Sequence, residues 1–88
     1  MAILLRGARI LIVDDDVNTV EALQSLLEDE GYQVETASSG AAALARLGAA
    51  TFDLLLTDLH LPDLDGVSLA QQAQAATAEG FRHAHLVV

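Results

Sequence analysis

The stretch that decides the fold is FDLLLTDLHLPDLDG, residues 52–66. Its apolar run at residues 54–56 lacks the period-two alternation of a half-exposed strand, so it predicts a strand buried on both faces. Asp58 follows this run directly. Pro62 has no amide hydrogen and Gly66 is a turn former, so the chain cannot continue as a strand beyond this point. The pattern places one carboxylate at the carboxyl end of a buried strand, where open parallel sheets bind their ligands.

A second buried strand is predicted at residues 9–13, RILIV, and it stops at three consecutive acids, Asp14, Asp15 and Asp16. A helix is predicted over residues 17–30, since its apolar residues recur at three- and four-residue spacing and form one stripe. Acids near a helix N-terminus are favoured by the helix dipole, so part of the aspartate run is expected to serve this helix. Gly31 is placed to cap its C-terminus.

The remaining elements alternate in the same way. Residues 32–37 predict a shorter and more exposed strand, and Ser39 is a candidate N-cap for a short helix over residues 41–47 that Gly48 ends. A third helix is predicted over residues 67–78 and a last strand over residues 84–88. Alternating strands and helices predict an α/β fold, a parallel sheet with helices on its faces.

The composition excludes several classes of protein. The 88 residues allow one small domain, and 52% of them are hydrophobic, so the chain is not a disordered tail. A net charge of −9 with only four Lys plus Arg leaves no basic patch, which argues against direct binding to nucleic acid or to an anionic membrane surface. Without cysteine there is no disulfide framework. Apolar runs too short to span a membrane make the cytoplasm the expected location.

The acids at the two strand ends predict a metal site. Parallel strands share one carboxyl edge, so Asp14, Asp15 and Asp58 converge if their strands are neighbours. A cluster of carboxylates is costly unless a cation neutralises it or some groups stay protonated. Oxygen ligands from separate loops suit Mg²⁺, and a backbone carbonyl just past Asp58 is a further candidate ligand. The alternative is three independent surface acids that never meet.

Two other interpretations of this region are weaker. Residues 63–66, DLDG, resemble part of a calcium-binding loop, but its first and last ligand positions would fall on Leu61 and Gln72. A phosphatase with Asp58 as its nucleophile would need a second acid two residues later, where His60 stands. Both hypotheses therefore lack a residue that their chemistry requires.

Four features, in order and at matching spacings, resemble the response-regulator receiver domains of two-component signalling. They are ILIVDDD at residues 10–16, the helix that ends at Gly31, LLLTD at residues 54–58 and LPDLDG at residues 61–66. The resemblance extends over residues 9–88 and implies a flavodoxin-like, three-layer fold. It makes residues 1–88 a single, partial receiver domain. Pro62 and Gly66 match the residues that shape the loop below the family's site.

The resemblance also implies residue roles. Asp58 matches the acceptor that takes a phosphoryl group from a histidine kinase or a phosphotransfer protein. Asp14 and Asp15 match the acidic pair that holds Mg²⁺ together with Asp58, and Asp15 is the expected direct ligand. The backbone carbonyl of His60 matches a further metal ligand. The implied function is Mg²⁺-dependent phosphoryl acceptance in a phosphorelay, and the implied protein is a signalling component rather than a classical enzyme.

The chain also departs from the family pattern. Receivers have a fifth strand and two further helices, so four strands and three helices are expected here, with those elements missing. The family's Ser or Thr that senses the phosphoryl group would follow the end of this chain, and the sequence contains no lysine to match the one that pairs with the phosphate. We therefore expect a fragment or truncated product.

This departure leaves an alternative function open. The chain is then a non-catalytic interaction module, or an inactive receiver fragment, that docks through an exposed sheet edge. An unpaired last strand also predicts a homodimer, which strand exchange could form. Phosphate incorporation at Asp58 distinguishes the two hypotheses.

Overall fold

The computed structural model describes residues 7–58, 61–63, 68, 71 and 85–87. Its elements in chain order are β1 (Arg9–Val13), α1 (Val17–Asp29), β2 (Gln33–Ala37), α2 (Gly40–Ala49), β3 (Leu54–Thr57) and β4 (His85–Val87). Of the predicted third helix, Ser68 and Gln71 are described and are helical, while the rest lies outside the described residues. In the part of the chain that the structure describes, no helix combines the length and apolarity needed to cross a membrane.

The four strands form one parallel sheet in the order β2-β1-β3-β4. This confirms the parallel α/β fold that the alternation of elements predicts. The strands β1 and β3 are neighbours, with Val13 opposite Thr57 at their carboxyl ends. Their following residues, Asp14 and Asp58, therefore leave the sheet side by side at one edge.

The apolar runs form the two inner strands of the sheet, and these strands contribute much of the core. In β1 the four residues from Ile10 to Val13 are at most 1% exposed. Leu55 of β3 is fully buried as well, and packs in one cluster with Ala43 and Leu47 of α2. Unbroken aliphatic runs suit strands that have a neighbour on each side and are covered on both faces, and β1 confirms this prediction. In β3, Leu55 and Thr57 are buried but Leu54 and Leu56 are only half-buried, so the prediction of burial on both faces is wrong for this strand. The opposite helix, α1, contributes no fully buried residue.

The end of α1 follows the predicted glycine cap. Gly31 has a φ of 94°, in the left-handed region that a side chain disfavours. Its N–H donates to the Glu28 carbonyl at 3.0 Å, and the Tyr32 N–H donates to the Leu27 carbonyl at 3.1 Å. These two bonds form a Schellman motif, which satisfies carbonyls that the helix itself leaves without partners.

The prediction that Gly48 ends the second helix is wrong. The helix α2 extends over Gly40–Ala49, so Gly48 lies within it. The Ala50 N–H donates to the Arg46 carbonyl at 3.0 Å and closes one more turn. A single interior glycine costs about 1 kcal/mol relative to alanine, which an alanine-rich, packed helix can absorb. The range of β1 matches the prediction, and α1 and β2 each differ from theirs by one residue at one end. Residues 84 and 88 of the predicted last strand lie outside the described residues.

Candidate functional site

Three aspartates come together at the carboxyl edge of the sheet. Asp14, Asp15 and Asp58 each offer a carboxylate oxygen, and these oxygens all lie within 4.8 Å of one another. Asp14 and Asp58 are half-buried, whereas Asp15 is exposed. The structure thus brings together the three acids whose convergence the sequence predicts. We refer to them as the acidic cluster.

Backbone hydrogen bonds fix two of these residues to the sheet. The Asp14 N–H donates to the Ala37 carbonyl at 3.1 Å, and the Asp58 N–H donates to the Val13 carbonyl at 2.9 Å. The Thr57 hydroxyl, on a residue that is 1% exposed, donates to the Asp58 carbonyl at 3.1 Å. These bonds therefore set the backbone positions of Asp14 and Asp58 at the edge of the sheet.

The third aspartate of the run in sequence serves the helix instead. Asp16 is the N-cap of α1, and its carboxylate accepts hydrogen bonds from the backbone of Asn18 at 3.0 Å and Thr19 at 3.4 Å. Its own N–H donates to Oδ1 of Asp14 at 3.0 Å. This confirms that part of the run serves α1, because a carboxylate at this position satisfies amides that lack partners in the helix. Asp14 and Asp15 are left for the acidic cluster.

The donor set fits a divalent cation. Carboxylate oxygens are the hard ligands that Mg²⁺ and Ca²⁺ take in proteins, and the three acids come from two separate loops. Their close approach is unfavourable without a compensating charge. His60 and Gly66, the other predicted site residues in this loop, lie outside the described residues. Pro62 is described and is exposed.

Asp63 lies within the LPDLDG segment, and the structure gives it a contact with residues that are distant in sequence. Its two carboxylate oxygens accept hydrogen bonds from the backbone N–H groups of Gly40 at 2.9 Å and Ala41 at 3.0 Å. These two bonds hold the pKa of the Asp63 carboxyl below its usual value. The partners lie more than twenty residues earlier in the chain, so no local pattern marks this contact.

The positive charges that the structure describes lie away from the acidic cluster. The two arginines that the structure describes, Arg9 and Arg46, both bind Glu35, with N–O distances of 2.6 and 2.7 Å. Arg9 begins β1 and Arg46 lies in the last turn of α2, at the end of the sheet opposite the acidic cluster. Burial acts to raise the pKa of Glu35, but the bonds and charges of Arg46 and Arg9 outweigh it and hold the pKa below its usual value.

Sequence comparison identifies relatives that share this arrangement of elements. A family model described as "Response regulator receiver domain" matches residues 10–81. The transcriptional regulatory protein ZraR of Salmonella typhimurium is 42% identical over 66 residues, which are 75% of this chain and 15% of that protein. The response regulator receiver protein CpdR of Brucella abortus is 43% identical over 65 residues, which are 74% of this chain and 54% of that protein. The chain thus spans about half, or less, of the length of these relatives.

Solved structures agree with the sequence relatives. The chemotaxis protein CheY4 of Vibrio cholerae superimposes with a TM-score of 0.85 at 31% identity, over 92% of this chain and 67% of that one. The response regulator TrrA of Thermotoga maritima, solved in complex with Mg²⁺ and BeF, gives a TM-score of 0.73 at 35% identity. That match covers 77% of this chain and 59% of TrrA. On its sequence and its fold, the chain belongs to the response regulator receiver domain family, the two-component signalling modules that histidine kinases phosphorylate.

Proposed function

We propose that this chain is one receiver domain over residues 1–88 that accepts a phosphoryl group on Asp58. The donor is a histidine kinase or a phosphotransfer protein, and the location is the cytoplasm, where ATP supplies such kinases. One observation carries the proposal: Asp58 follows an inner strand, and its carboxylate meets those of Asp14 and Asp15. In this role the chain is a phosphoryl acceptor in signalling rather than a classical enzyme.

The chemistry at Asp58 is a nucleophilic substitution at phosphorus. A carboxylate oxygen of Asp58 forms the new O–P bond as the P–N bond of a donor phosphohistidine breaks. The bonding electrons leave with the imidazole nitrogen, which then takes up a proton. The hydrogen bonds from the Asp58 N–H to the Val13 carbonyl and from the Thr57 hydroxyl to the Asp58 backbone carbonyl hold the backbone of the nucleophilic residue in a fixed position. Such positioning is a large part of catalysis in phosphoryl transfer.

The acidic cluster would hold Mg²⁺, with Asp15 as a direct ligand and the His60 carbonyl as a further one. A bound cation supplies charge that offsets the negative oxygens of the transferred group. The presence of Mg²⁺ and BeF in the TrrA complex supports this assignment by similarity. Pro62 and Gly66 are assigned to shaping the loop that carries the His60 carbonyl.

The experiment is a reaction with acetyl phosphate in the presence of Mg²⁺, followed by intact mass spectrometry. We expect the mass of one phosphoryl group on the wild type and none on Asp58→Asn, which lacks the nucleophilic oxygen pair. Asp29→Asn, which removes an exposed acid at the end of α1, is the matched control and should react as the wild type does. A folded wild type that stays unmodified, or equal labelling of Asp58→Asn, would show that the proposal is wrong.

A second function, self-association without phosphoryl transfer, is favoured by two surface features. Among the described strands β4 lies at one edge of the sheet, where an unpaired side is a template for another strand. On α1, Val17 and Leu26 are 65% and 63% exposed. A homodimer, formed by edge pairing or by strand exchange, fits this hypothesis. Light scattering over a range of protein concentrations tests it, and a monomer throughout would contradict it.

A further inference from the structure

The segment that begins at Asp58 is fixed at both of its ends. At the near end, the Asp58 N–H donates to the Val13 carbonyl of β1 at 2.9 Å. At the far end, the Asp63 carboxylate accepts from two backbone amides at the start of α2. Leu61, between these points, packs against the buried core cluster. We call residues 58–63 the acceptor loop.

The start of α2 is arranged so that it requires a distant partner. The N–H groups of its first three residues, Gly40, Ala41 and Ala42, have no hydrogen-bond acceptor within the helix, because no helical carbonyl lies four residues before them. The Ser39 hydroxyl accepts from Ala42 at 3.1 Å, which leaves the first two amides to Asp63. Both oxygens of one carboxylate are used in this contact, so it fixes the orientation of the side chain as well as its position.

The anchor itself is rigid. Gly40 and Ala43 are buried, so the first turn of α2 is packed against the sheet. The lowered pKa of Asp63 means that its carboxylate is ionised at neutral pH, and a negative charge at this helix end also interacts favourably with the helix dipole. A purely local cap, such as Ser39, could satisfy amides without joining two segments. Asp63 joins α2 to the loop that carries Asp58.

We propose that Asp63 is a positioning residue, whose paired contact with Gly40 and Ala41 holds the acceptor loop in one arrangement. The part of this inference that concerns reactivity rests on the proposed function of Asp58. His60, whose backbone carbonyl is the expected metal ligand, lies in the sequence between the two anchors. Release of the far anchor should therefore loosen the segment that joins Asp63 to Asp58, while β1 and β3 stay paired.

The test compares variants that differ in whether they release the loop. Asp63→Ala removes both bonds to α2, and Asp63→Asn keeps one acceptor oxygen. Ser39→Ala is the matched control, because it removes a cap from the same helix end and leaves the loop contact intact. For each variant we would measure the thermal midpoint, the Mg²⁺ dissociation constant from amide shifts, and the rate of acyl phosphate formation with acetyl phosphate.

We expect Asp63→Ala to weaken Mg²⁺ binding and to slow the reaction on the order of tenfold, the scale on which a small misplacement of reacting groups acts. Asp63→Asn should recover part of both effects. Ser39→Ala should lower the thermal midpoint, but leave binding and rate within about twofold of the wild type. If Asp63→Ala and Ser39→Ala behave alike in all three measurements, Asp63 is only a helix cap and the inference is overturned.

Amide hydrogen exchange without metal or phosphate separates this inference from the proposed function. Asp63→Ala should speed exchange at Asp58 and Leu61 relative to the wild type, and Ser39→Ala should not. A wild type that never takes a phosphoryl group would refute the proposed function, while the exchange result would still decide the role of Asp63. Unchanged exchange at Asp58 and Leu61 would refute that role. If Asp63→Ala does not fold, Asp63→Asn carries the same comparison.

Discussion

Neutralising Asp15 should stabilise the metal-free protein, although it removes the expected Mg²⁺ ligand. Two unit charges separated by the 4.8 Å limit of the acidic cluster repel by about 0.9 kcal/mol in water. Asp15 takes part in two of the three pairs of the cluster. Its repulsion with Asp14 is also present in the unfolded chain, because the two are neighbours in sequence, so chiefly the pair with Asp58 opposes folding. We therefore expect Asp15→Asn to raise the free energy of unfolding by about 1 kcal/mol at low salt.

Mg²⁺ should reverse the order of stability of the wild type and Asp15→Asn. A ligand that binds only the folded state adds about 2.7 kcal/mol at one hundred times its dissociation constant. The wild type should gain this amount, whereas Asp15→Asn should gain little, because it has lost the proposed direct ligand. In a chain of this size, 1 kcal/mol corresponds to about 4–8 °C in the thermal midpoint, so calorimetry can resolve both effects.

The control for this experiment is Glu21→Gln, which removes the same unit of charge from an exposed position on α1. It should change the stability by less than about 0.5 kcal/mol and leave the Mg²⁺ response intact. If Glu21→Gln stabilises the protein as much as Asp15→Asn does, the gain reflects net charge and the argument from the acidic cluster fails. An unchanged response of Asp15→Asn to Mg²⁺ would equally refute the assigned ligand.

Three further predictions concern the rest of the fold. Gly48→Ala should stabilise the protein by about 0.5–1 kcal/mol in urea unfolding, because glycine disfavours a helix and an added Cβ would have no neighbour within 4 Å. A loss of stability would contradict this prediction. Leu55→Ala should cost about 2–5 kcal/mol because the side chain is fully buried, whereas Leu26→Ala, at a 63% exposed position, should stay within about 0.5 kcal/mol. Glu35→Gln should cost about 1 kcal/mol at neutral pH, allowing for solvent screening of the half-exposed ion pairs. Folding lowers the pKa of Glu35, so the contribution of its ion pairs to stability is present above the unfolded-state pKa of Glu35 and is lost as pH falls through the folded-state pKa. A stability difference between the wild type and Glu35→Gln that persists in acid would contradict this origin.

The sequence was sufficient to predict the inner strands and the acidic cluster. The runs at residues 10–13 and 54–56 are apolar without alternation, which predicts inner strands, although one face of β3 is only half-buried. Once the strands are parallel neighbours, geometry alone brings Asp14 and Asp58 to the same edge. Each step depended on local pattern and on the fixed direction of parallel strands.

The remaining features depend on side chains that meet across the fold. The contact of Asp63 with α2 and the bridging of Arg9 and Arg46 by Glu35 join residues that are distant in sequence. A single sequence, read without an alignment, contains no signal for such pairs. The prediction of where α2 ends was wrong for a different reason. Glycine is a weak helix breaker, and the packing of Leu47 and the alanines around Gly48 outweighs its local preference.

The carboxyl edge of the sheet carries a local concentration of negative charge. The two described arginines are engaged by Glu35 away from this edge, and the edge presents three acids on a chain of net charge −9. A small anionic donor must approach against this field, so added salt should accelerate its reaction by screening the repulsion. A donor protein with a basic surface around its phosphohistidine would instead be drawn to the acidic edge in the correct orientation, and salt would slow that encounter.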